Sequence, residues 1–274
     1  MQIYNLLSDN KHLKGNGNSA MKKPILYAHR GFSGKYPENS PLAFYKAVEE
    51  TSANGIESDV HISKDGELVV FHDATLERTS NGHGFIKDHT YDELLQLDIG
   101  AWKSPEFAGQ HIWKLGQLLD FCKETGLILN LELKNYEVFY ENLEQRVIDE
   151  IVARKMEQQV CVSSFNHVSM QLFKTLNADI ETGLLYDKPY LDMDAYVARS
   201  NADNMHPRYM LMQYQPEHML LFHDRGMKVN VWTVDDPEDI RDMLRRGVDG
   251  IISNQADVLC KTVNEALQES HPPF

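Results

Sequence analysis

The sequence predicts an α/β fold of the TIM (β/α)₈ barrel type, because short apolar strands alternate with amphipathic helices along most of the chain. A repeated β-then-α order implies parallel strands with right-handed crossovers, and eight such units close a barrel. The length of 274 residues suits this fold. A doubly wound open sheet is the alternative. The eight predicted strands are ILYAH (25–29), GIESDVHI (55–62), LILNLELK (127–134), VCVSSF (160–165), ETGLLY (181–186), ADNMH (202–206), KVNVWTV (228–234) and DGIISN (249–254).

Helical periodicity appears between most of these strands. Three segments show it best: PLAFYKAVEETSAN (41–54), VFYENLEQRVIDEIVARK (138–155) and DPEDIRDMLRRG (236–247). The third begins with an Asp cap followed by Pro and ends on a Gly, which are the residues expected at helix boundaries.

The interval between the second and third strands is longer than the others. It holds an extra strand, ELVVFHD (67–73), and a segment rich in polar and turn residues with one short helical pattern, YDELLQLD. We expect 74–114 to form a small insertion subdomain on a loop of the barrel, which spans 23–266. Residues 1–22 are predicted to be an N-terminal extension and 267–274 a C-terminal tail.

Composition and charge narrow the class of protein. The formal net charge of −14 argues against a nucleic-acid-binding surface, but local cations can still admit an anionic small molecule. No apolar run is long enough for a membrane span, and the N-terminus lacks the apolar region of a signal peptide. The three cysteines are widely spaced and suggest free thiols. We therefore expect a cytoplasmic protein without stable membrane insertion; a homo-oligomer remains open.

Acidic residues stand at the ends of two predicted strands. Glu57 and Asp59 share one face of their strand because they are two residues apart, and Glu132 and Lys134 repeat that spacing on the next barrel strand. Catalytic groups of parallel barrels gather at these carboxyl ends. Three converging carboxylates suit one divalent cation, and we favour Mg²⁺ over Ca²⁺ for a cytoplasmic protein. Solvated acids at strand ends are the structural alternative for Glu57 and Asp59, and for Glu132 the alternative is an ion pair with Lys134, which is compatible with metal binding.

Histidines and basic residues occupy neighbouring positions. His29 and His72 both end short apolar strands, and two histidines beside a metal suit a general acid and a general base. Arg30 and Lys134 can neutralise phosphate oxygens. His61 shares the face of the acids and is either a further ligand or, as we expect, a hydrogen-bonded histidine of the barrel.

Several segments in order resemble the glycerophosphodiester phosphodiesterase family, from about Ile25 to Leu259. Two differences are a Trp-Lys pair in IWKLGQLL, where the family usually has a Pro-Thr turn, and Ser80, where Thr is common. The matching segments are HRGFSGKYPENSPLAFYKA, GIESDVHISKDGELVVFHDATLERTSNGHG, LNLELK, VNVWTVDD and GVDGIISN.

This resemblance implies a TIM barrel with a small insertion after the second strand and one divalent metal. It places the metal on Glu57, Asp59 and Glu132, assigns acid–base catalysis to His29 and His72, and gives phosphate binding to Arg30 and Lys134. Phe165 and Trp232 would contact the substrate, Trp232 beside the glycerol moiety, and Asn39 would orient His29 or the substrate.

The expected activity is hydrolysis of glycerophosphodiesters, such as glycerophosphocholine and glycerophosphoethanolamine, to sn-glycerol 3-phosphate and an alcohol. The resemblance also implies a cyclic phosphate intermediate. Two alternatives are a lysophospholipase D, which would need an apolar groove at the barrel mouth, and a non-catalytic barrel that binds polyol phosphates.

Overall fold

The computed structural model describes residues 22–270. The predicted N-terminal extension therefore lies almost entirely outside the described residues, as does the end of the predicted C-terminal tail. The last helix runs to Ser270, past the predicted domain boundary at 266.

Eight parallel strands form a closed barrel, which confirms the predicted fold class. The first strand pairs with both the second and the last, so the open-sheet alternative is wrong. A ninth, short strand, β3, runs antiparallel to β2 at the barrel edge. The strands are β1 (Ile25–His29), β2 (Gly55–Ile62), β3 (Leu68–Val70), β4 (Ile128–Leu133), β5 (Val160–Ser164), β6 (Glu181–Tyr186), β7 (Asn204–Pro207), β8 (Lys228–Val231) and β9 (Gly250–Ser253).

The side chains of strand β2 alternate between the hydrophobic core and the interior of the barrel. All eight of its residues are buried, although the sequence GIESDVHI contains four polar residues. Ile56 and Val60 belong to the main hydrophobic core. The alternation of a strand turns Glu57, Asp59 and His61 to the opposite face, towards the barrel axis. Polar residues are therefore buried here by the closure of the barrel.

Helices cover the outside of the barrel. The helix that follows β8 agrees with its predicted signals, because the Asp236 side chain accepts from Glu238 N and Gly247 ends it with φ 80°. The predicted helix at 138–155 begins only at Leu143, since the residues before it form a loop at the barrel mouth. The helices are α1 (Pro41–Glu50), α2 (Tyr91–Leu94), α3 (Leu115–Thr125), α4 (Leu143–Arg154), α5 (His167–Leu176), α6 (Met193–Ser200), α7 (Tyr209–Tyr214), α8 (Glu217–Asp224), α9 (Pro237–Arg246) and α10 (Ala256–Ser270).

The insertion after β2 has a small hydrophobic core of its own. It contains β3, α2 and two short 3₁₀ turns at Ile86–Asp88 and Pro105–Phe107. Lys103 Nζ donates to the carbonyl of Ser33 at 2.8 Å, which ties the insertion to the loop after β1. The buried residues of this second core are Val69, Phe71, Leu76, Ile86, Leu94, Ile99 and Ile112.

Within residues 22–270, no helix combines the length and the apolar composition that a bilayer crossing requires. The three cysteines are free and buried, as their spacing suggested.

Candidate active site

The register of three neighbouring strands brings the predicted residues together. His29 at the end of β1 lies opposite Glu57 on β2, and Asp59 lies opposite Glu132 on β4. Because parallel strands end at the same edge of a barrel, these side chains share one pocket at its carboxyl end.

The three acids form a buried cluster that could hold a divalent cation. One carboxylate oxygen from each of Glu57, Asp59 and Glu132 lies within 4.8 Å of the others, and all three residues are buried. Asp59 Oδ1 and Glu132 Oε1 are buried and both face the ammonium group of Lys134. Three carboxylates buried this close together favour a further cation between them, and Mg²⁺ and Ca²⁺ both prefer oxygen ligands.

The surroundings shift the three carboxyl groups differently. Burial raises the pKa of Glu57 well above its usual value, and the charge of Asp59 adds to this. Burial also raises the pKa of Glu132, although Lys134 opposes it. Burial acts on Asp59 too, but Lys134, His72 and Arg30 and a hydrogen bond from Asn39 outweigh it and hold its pKa far below normal.

Two basic side chains lie against these acids. Lys134 Nζ is 2.8 Å from Glu132 Oε1 and 3.0 Å from Asp59 Oδ1. Burial lowers the pKa of Lys134, but Asp59 and Glu132 more than compensate and raise it overall. Arg30 Nη1 donates to Glu38 Oε1 at 2.7 Å, and its Nε lies 3.6 Å from Asp59 Oδ2. Both cations are therefore held charged at the edge of the acidic cluster.

The tautomer of His29 follows from its hydrogen-bond partners. Asn254 Nδ2 donates to Asp235, so Asn254 Oδ1 is the acceptor that faces His29 Nδ1 at 2.6 Å. His29 Nδ1 must therefore carry the proton, and Nε2 faces Glu57 Oε2 at 3.6 Å. Burial, with the charge of Arg30, lowers the pKa of His29 to about 3. The ring is therefore neutral and Nε2 has an unshared lone pair.

His72 is oriented by a carboxylate instead. Its Nδ1 lies 2.5 Å from Asp73 Oδ1, and Arg78 Nε donates to Asp73 Oδ2 at 2.6 Å. The acceptor on Nδ1 leaves Nε2 of His72 available for proton transfer. The two histidines are thus held in the same tautomer by different partners.

His61 and Asn39 have other roles in the geometry. His61 Nε2 donates to the His72 carbonyl and Nδ1 accepts from the Tyr140 hydroxyl, so neither nitrogen is left to bind a metal. The Asn39 amide donates to Asp59 Oδ2 at 2.7 Å and its oxygen accepts from Ser58. Asn39 therefore contacts a candidate metal ligand, while the sequence suggested contact with His29 or substrate.

A cavity of about 100 Å³, which we call the inner cavity, opens above the acids. Phe165 and Trp232 form one side, with ring centres 5.6 Å apart in an edge-to-face arrangement. Asp59 and Asn39 lie behind the lining. The predicted site residues that line the cavity are His29, Arg30, Glu57, His72, Glu132, Lys134, Phe165 and Trp232.

Sequence reasoning missed several polar partners. Asn130 lines the cavity and precedes Glu132 by two residues, so the spacing that identified Glu57 and Asp59 could have found it. Asp73 and Glu38 adjoin His72 and Asn39 in sequence, but nothing local shows that both bind Arg78.

Known proteins resemble this chain along most of its length. Residues 29–258 match the Glycerophosphoryl diester phosphodiesterase family. A glycerophosphodiester phosphodiesterase of Caldanaerobacter subterraneus is 37% identical, over 89% of this chain and 99% of its own. One of Bacillus altitudinis is 35% identical, over 88% and 98%.

A solved structure supports the same relationship. A phosphodiesterase of Oleispira antarctica, in complex with the product sn-glycerol-3-phosphate, is 28% identical with a TM-score of 0.77, over 88% of this chain and 97% of that one. The fold, the site and these matches agree, and the chain belongs to the glycerophosphoryl diester phosphodiesterase family.

Proposed function

We propose that this phosphodiesterase hydrolyses glycerophosphodiesters, such as glycerophosphocholine and glycerophosphoethanolamine, to sn-glycerol 3-phosphate and an alcohol in a metal-dependent reaction. The main support for this proposal is that three buried carboxylates and two oriented histidines meet at one cavity. The related phosphodiesterase that holds sn-glycerol-3-phosphate supports the product. Free buried thiols are consistent with a cytoplasmic site of action.

Glu57, Asp59 and Glu132 would hold one divalent cation, for which we favour Mg²⁺ over Ca²⁺. When bound, such an ion stabilises charge on phosphate oxygens and lowers the pKa of a coordinated hydroxyl. The approach of the three buried carboxylates to within 4.8 Å of one another supports this assignment. Arg30 and Lys134, both kept charged by acidic neighbours, would hold the phosphate.

The histidines would move the protons. A glycerol hydroxyl attacks phosphorus, one histidine accepts its proton, and the other protonates the departing alcohol. This step forms a cyclic glycerol phosphate, which water then opens. His29 and His72 suit these tasks because each has Nδ1 fixed by an acceptor and Nε2 free. Phe165 and Trp232 would flank the glycerol moiety from one side of the inner cavity.

The apolar groove required by a lysophospholipase D finds little support in this cavity. Leu185 and Ile252 are the aliphatic side chains among the residues that line it, and the remainder are polar or aromatic. We therefore favour a water-soluble phosphodiester. Turnover of glycerophosphocholine and lysophosphatidylcholine measured side by side, by release of choline, separates the two activities.

The acid–base assignment is tested with His29→Gln and His72→Gln. We expect the turnover of glycerophosphocholine, measured with Mg²⁺, to fall about 10²–10⁴-fold in each variant. His83→Gln is the matched control, because His83 is exposed and lies in the insertion away from the cavity lining. Addition of EDTA should abolish the wild-type rate. Near-normal turnover by either cavity variant would exclude that histidine from proton transfer.

A further inference from the structure

A second cavity adjoins the inner cavity, and the site described so far does not use it. This side cavity has a volume of about 250 Å³. It shares His72, Lys134 and Tyr136 with the inner cavity, so those three side chains form the boundary between the two. Its remaining lining includes Phe85 from the insertion and Glu137 from the loop after β4.

The in-line geometry of displacement at phosphorus indicates which part of the substrate would occupy the side cavity. The attacking and leaving oxygens lie roughly in line on opposite sides of the phosphorus atom. If the glycerol moiety lies beside Phe165 and Trp232, as in the proposed function, the alcohol departs on the other side of the phosphate. The boundary at His72 and Lys134 then receives the phosphate, and the alcohol extends into the side cavity. The inference rests on the proposed function in this respect.

The lining of the side cavity has the chemistry that binds an organic cation. Phe85 is 43% exposed and Tyr136 is 39% exposed, so both rings have accessible surface. Glu137 is exposed and has no ion-pair partner among residues 22–270. Aromatic faces combined with a carboxylate recognise ammonium groups, including quaternary ones.

Two lysines lie near the side cavity. The ammonium group of Lys134 lies within 3.0 Å of both Asp59 and Glu132, on the side of the acidic cluster, and 5.9 Å from the ring centre of Tyr136. Lys87 Nζ is 5.8 Å from the ring centre of Phe85 but does not line the cavity. The rings of Phe85 and Tyr136 therefore each lie within 6 Å of an ammonium group, the distance range of a cation–π contact.

We propose that the side cavity is the subsite for the leaving alcohol and that it selects glycerophosphodiesters whose alcohol carries an ammonium group. Choline and ethanolamine fulfil this requirement, whereas glycerol does not. The exposed carboxylate of Glu137 and the rings of Phe85 and Tyr136 provide the selection.

The test compares three substrates with the full chain and Mg²⁺: glycerophosphocholine, glycerophosphoethanolamine and glycerophosphoglycerol. We expect kcat/KM to be about 5–30-fold higher for either cationic substrate than for glycerophosphoglycerol. In Glu137→Gln and in Phe85→Leu this ratio should fall by about 3–10-fold. The Glu137 contribution should also weaken as ionic strength rises, because the carboxylate is exposed to solvent.

Matched controls lie on the same loop as Glu137. Glu141→Gln and Phe139→Leu remove an exposed carboxylate and an exposed ring that do not line the cavity, and both should keep the wild-type ratio. Equal kcat/KM for all three substrates, or an unchanged ratio in both cavity variants, would overturn the subsite while leaving the proposed function intact. Absence of turnover for all three would overturn the proposed function and the subsite with it.

Discussion

Glu57 and Asp59 lie two residues apart on one strand, yet their surroundings shift their pKa values in opposite directions. Burial dominates at Glu57 and raises its pKa, whereas at Asp59 the charges of Lys134, His72 and Arg30 overcome burial. A cation shared by both carboxylates would give Glu57 the compensation that Asp59 already receives from basic neighbours.

A substitution of Asn39 tests the role of the Asp59 carboxylate in metal binding and leaves Asp59 itself unchanged. Its φ of 53° is tolerated by glycine, so Asn39→Gly removes the amide and keeps the backbone conformation. Loss of the hydrogen bond to Asp59 should weaken Mg²⁺ binding about 10–100-fold, as partners of metal ligands commonly do. The measurement is the Mg²⁺ concentration at half-maximal activity, which should rise more than kcat falls.

Asn201→Gly is the control for this change, because Asn201 also has a positive φ of 51° and ends α6 away from the site. If the Mg²⁺ dependence of Asn39→Gly were normal while KM for the phosphodiester rose, the amide would contact substrate, as the sequence resemblance implies.

At the scale of elements, the insertion and two barrel loops are joined by ion pairs around Arg78. Its Nη1 and Nη2 donate to Glu38, and its Nε and Nη2 donate to Asp73. Glu38 in turn accepts from Arg30, and Asp73 contacts His72. Because Arg78 is 44% exposed, we expect these pairs to contribute little to stability and to act by orienting His72.

Arg78→Lys tests this orientation, since an ammonium group cannot reproduce the paired contacts of a guanidinium. We expect kcat to fall about 10-fold with little change in KM, because a small displacement of His72 impairs proton transfer. The melting temperature should change by less than about 2 °C.

Arg146→Lys is the matched variant, because Arg146 also bridges the barrel and the turn before β3, through the Gly66 carbonyl, but lies outside the site. Normal kcat in Arg78→Lys would show that Asp73 alone suffices to orient His72.

The sequence was sufficient to predict the site residues at the strand ends, but it could not predict the contacts between loops. Alternation along β2 placed Glu57 and Asp59 on one face, and the repeated β-then-α order placed Glu132 beside them. The Asn254 amide that orients His29 is 225 residues away along the chain, and no local pattern reports such a pairing. Arg78 is 40 residues from Glu38 along the chain, so their contact depends on how the insertion folds back.

At the scale of the whole molecule, the barrel interior below the site contains a buried histidine. His206 is fully buried, and Asn230 Nδ2 donates to its Nε2 at 2.9 Å. Gly183 provides the room for this ring, because a Cβ there would lie 2.6 Å from His206 Nε2. Burial lowers the pKa of His206 from 6.5 to about 3.

This buried ring should make the folded protein sensitive to mild acid. Between pH 6.5 and about 3, the unfolded chain binds a proton at His206 that the folded protein does not, so the free energy of unfolding decreases as pH falls through this window. His206→Gln should reduce that pH dependence by up to about 1.4 kcal/mol per pH unit. Urea unfolding at several pH values in this window measures the free energy of unfolding. The same dependence on pH in the wild type and in His206→Gln would refute the role of His206.

Above all, we infer that Glu57, Asp59 and Glu132 together hold one divalent cation. A crystal structure of the full chain with Mn²⁺ as a stand-in for Mg²⁺, read by anomalous scattering, tests it directly. The predicted result is a single ion bonded to an oxygen of each carboxylate, at about the 2.1 Å expected for Mg²⁺. A saturating concentration of Mn²⁺ that gives no ion at this cluster, or an ion that is bound without one of the three acids, would contradict the claim.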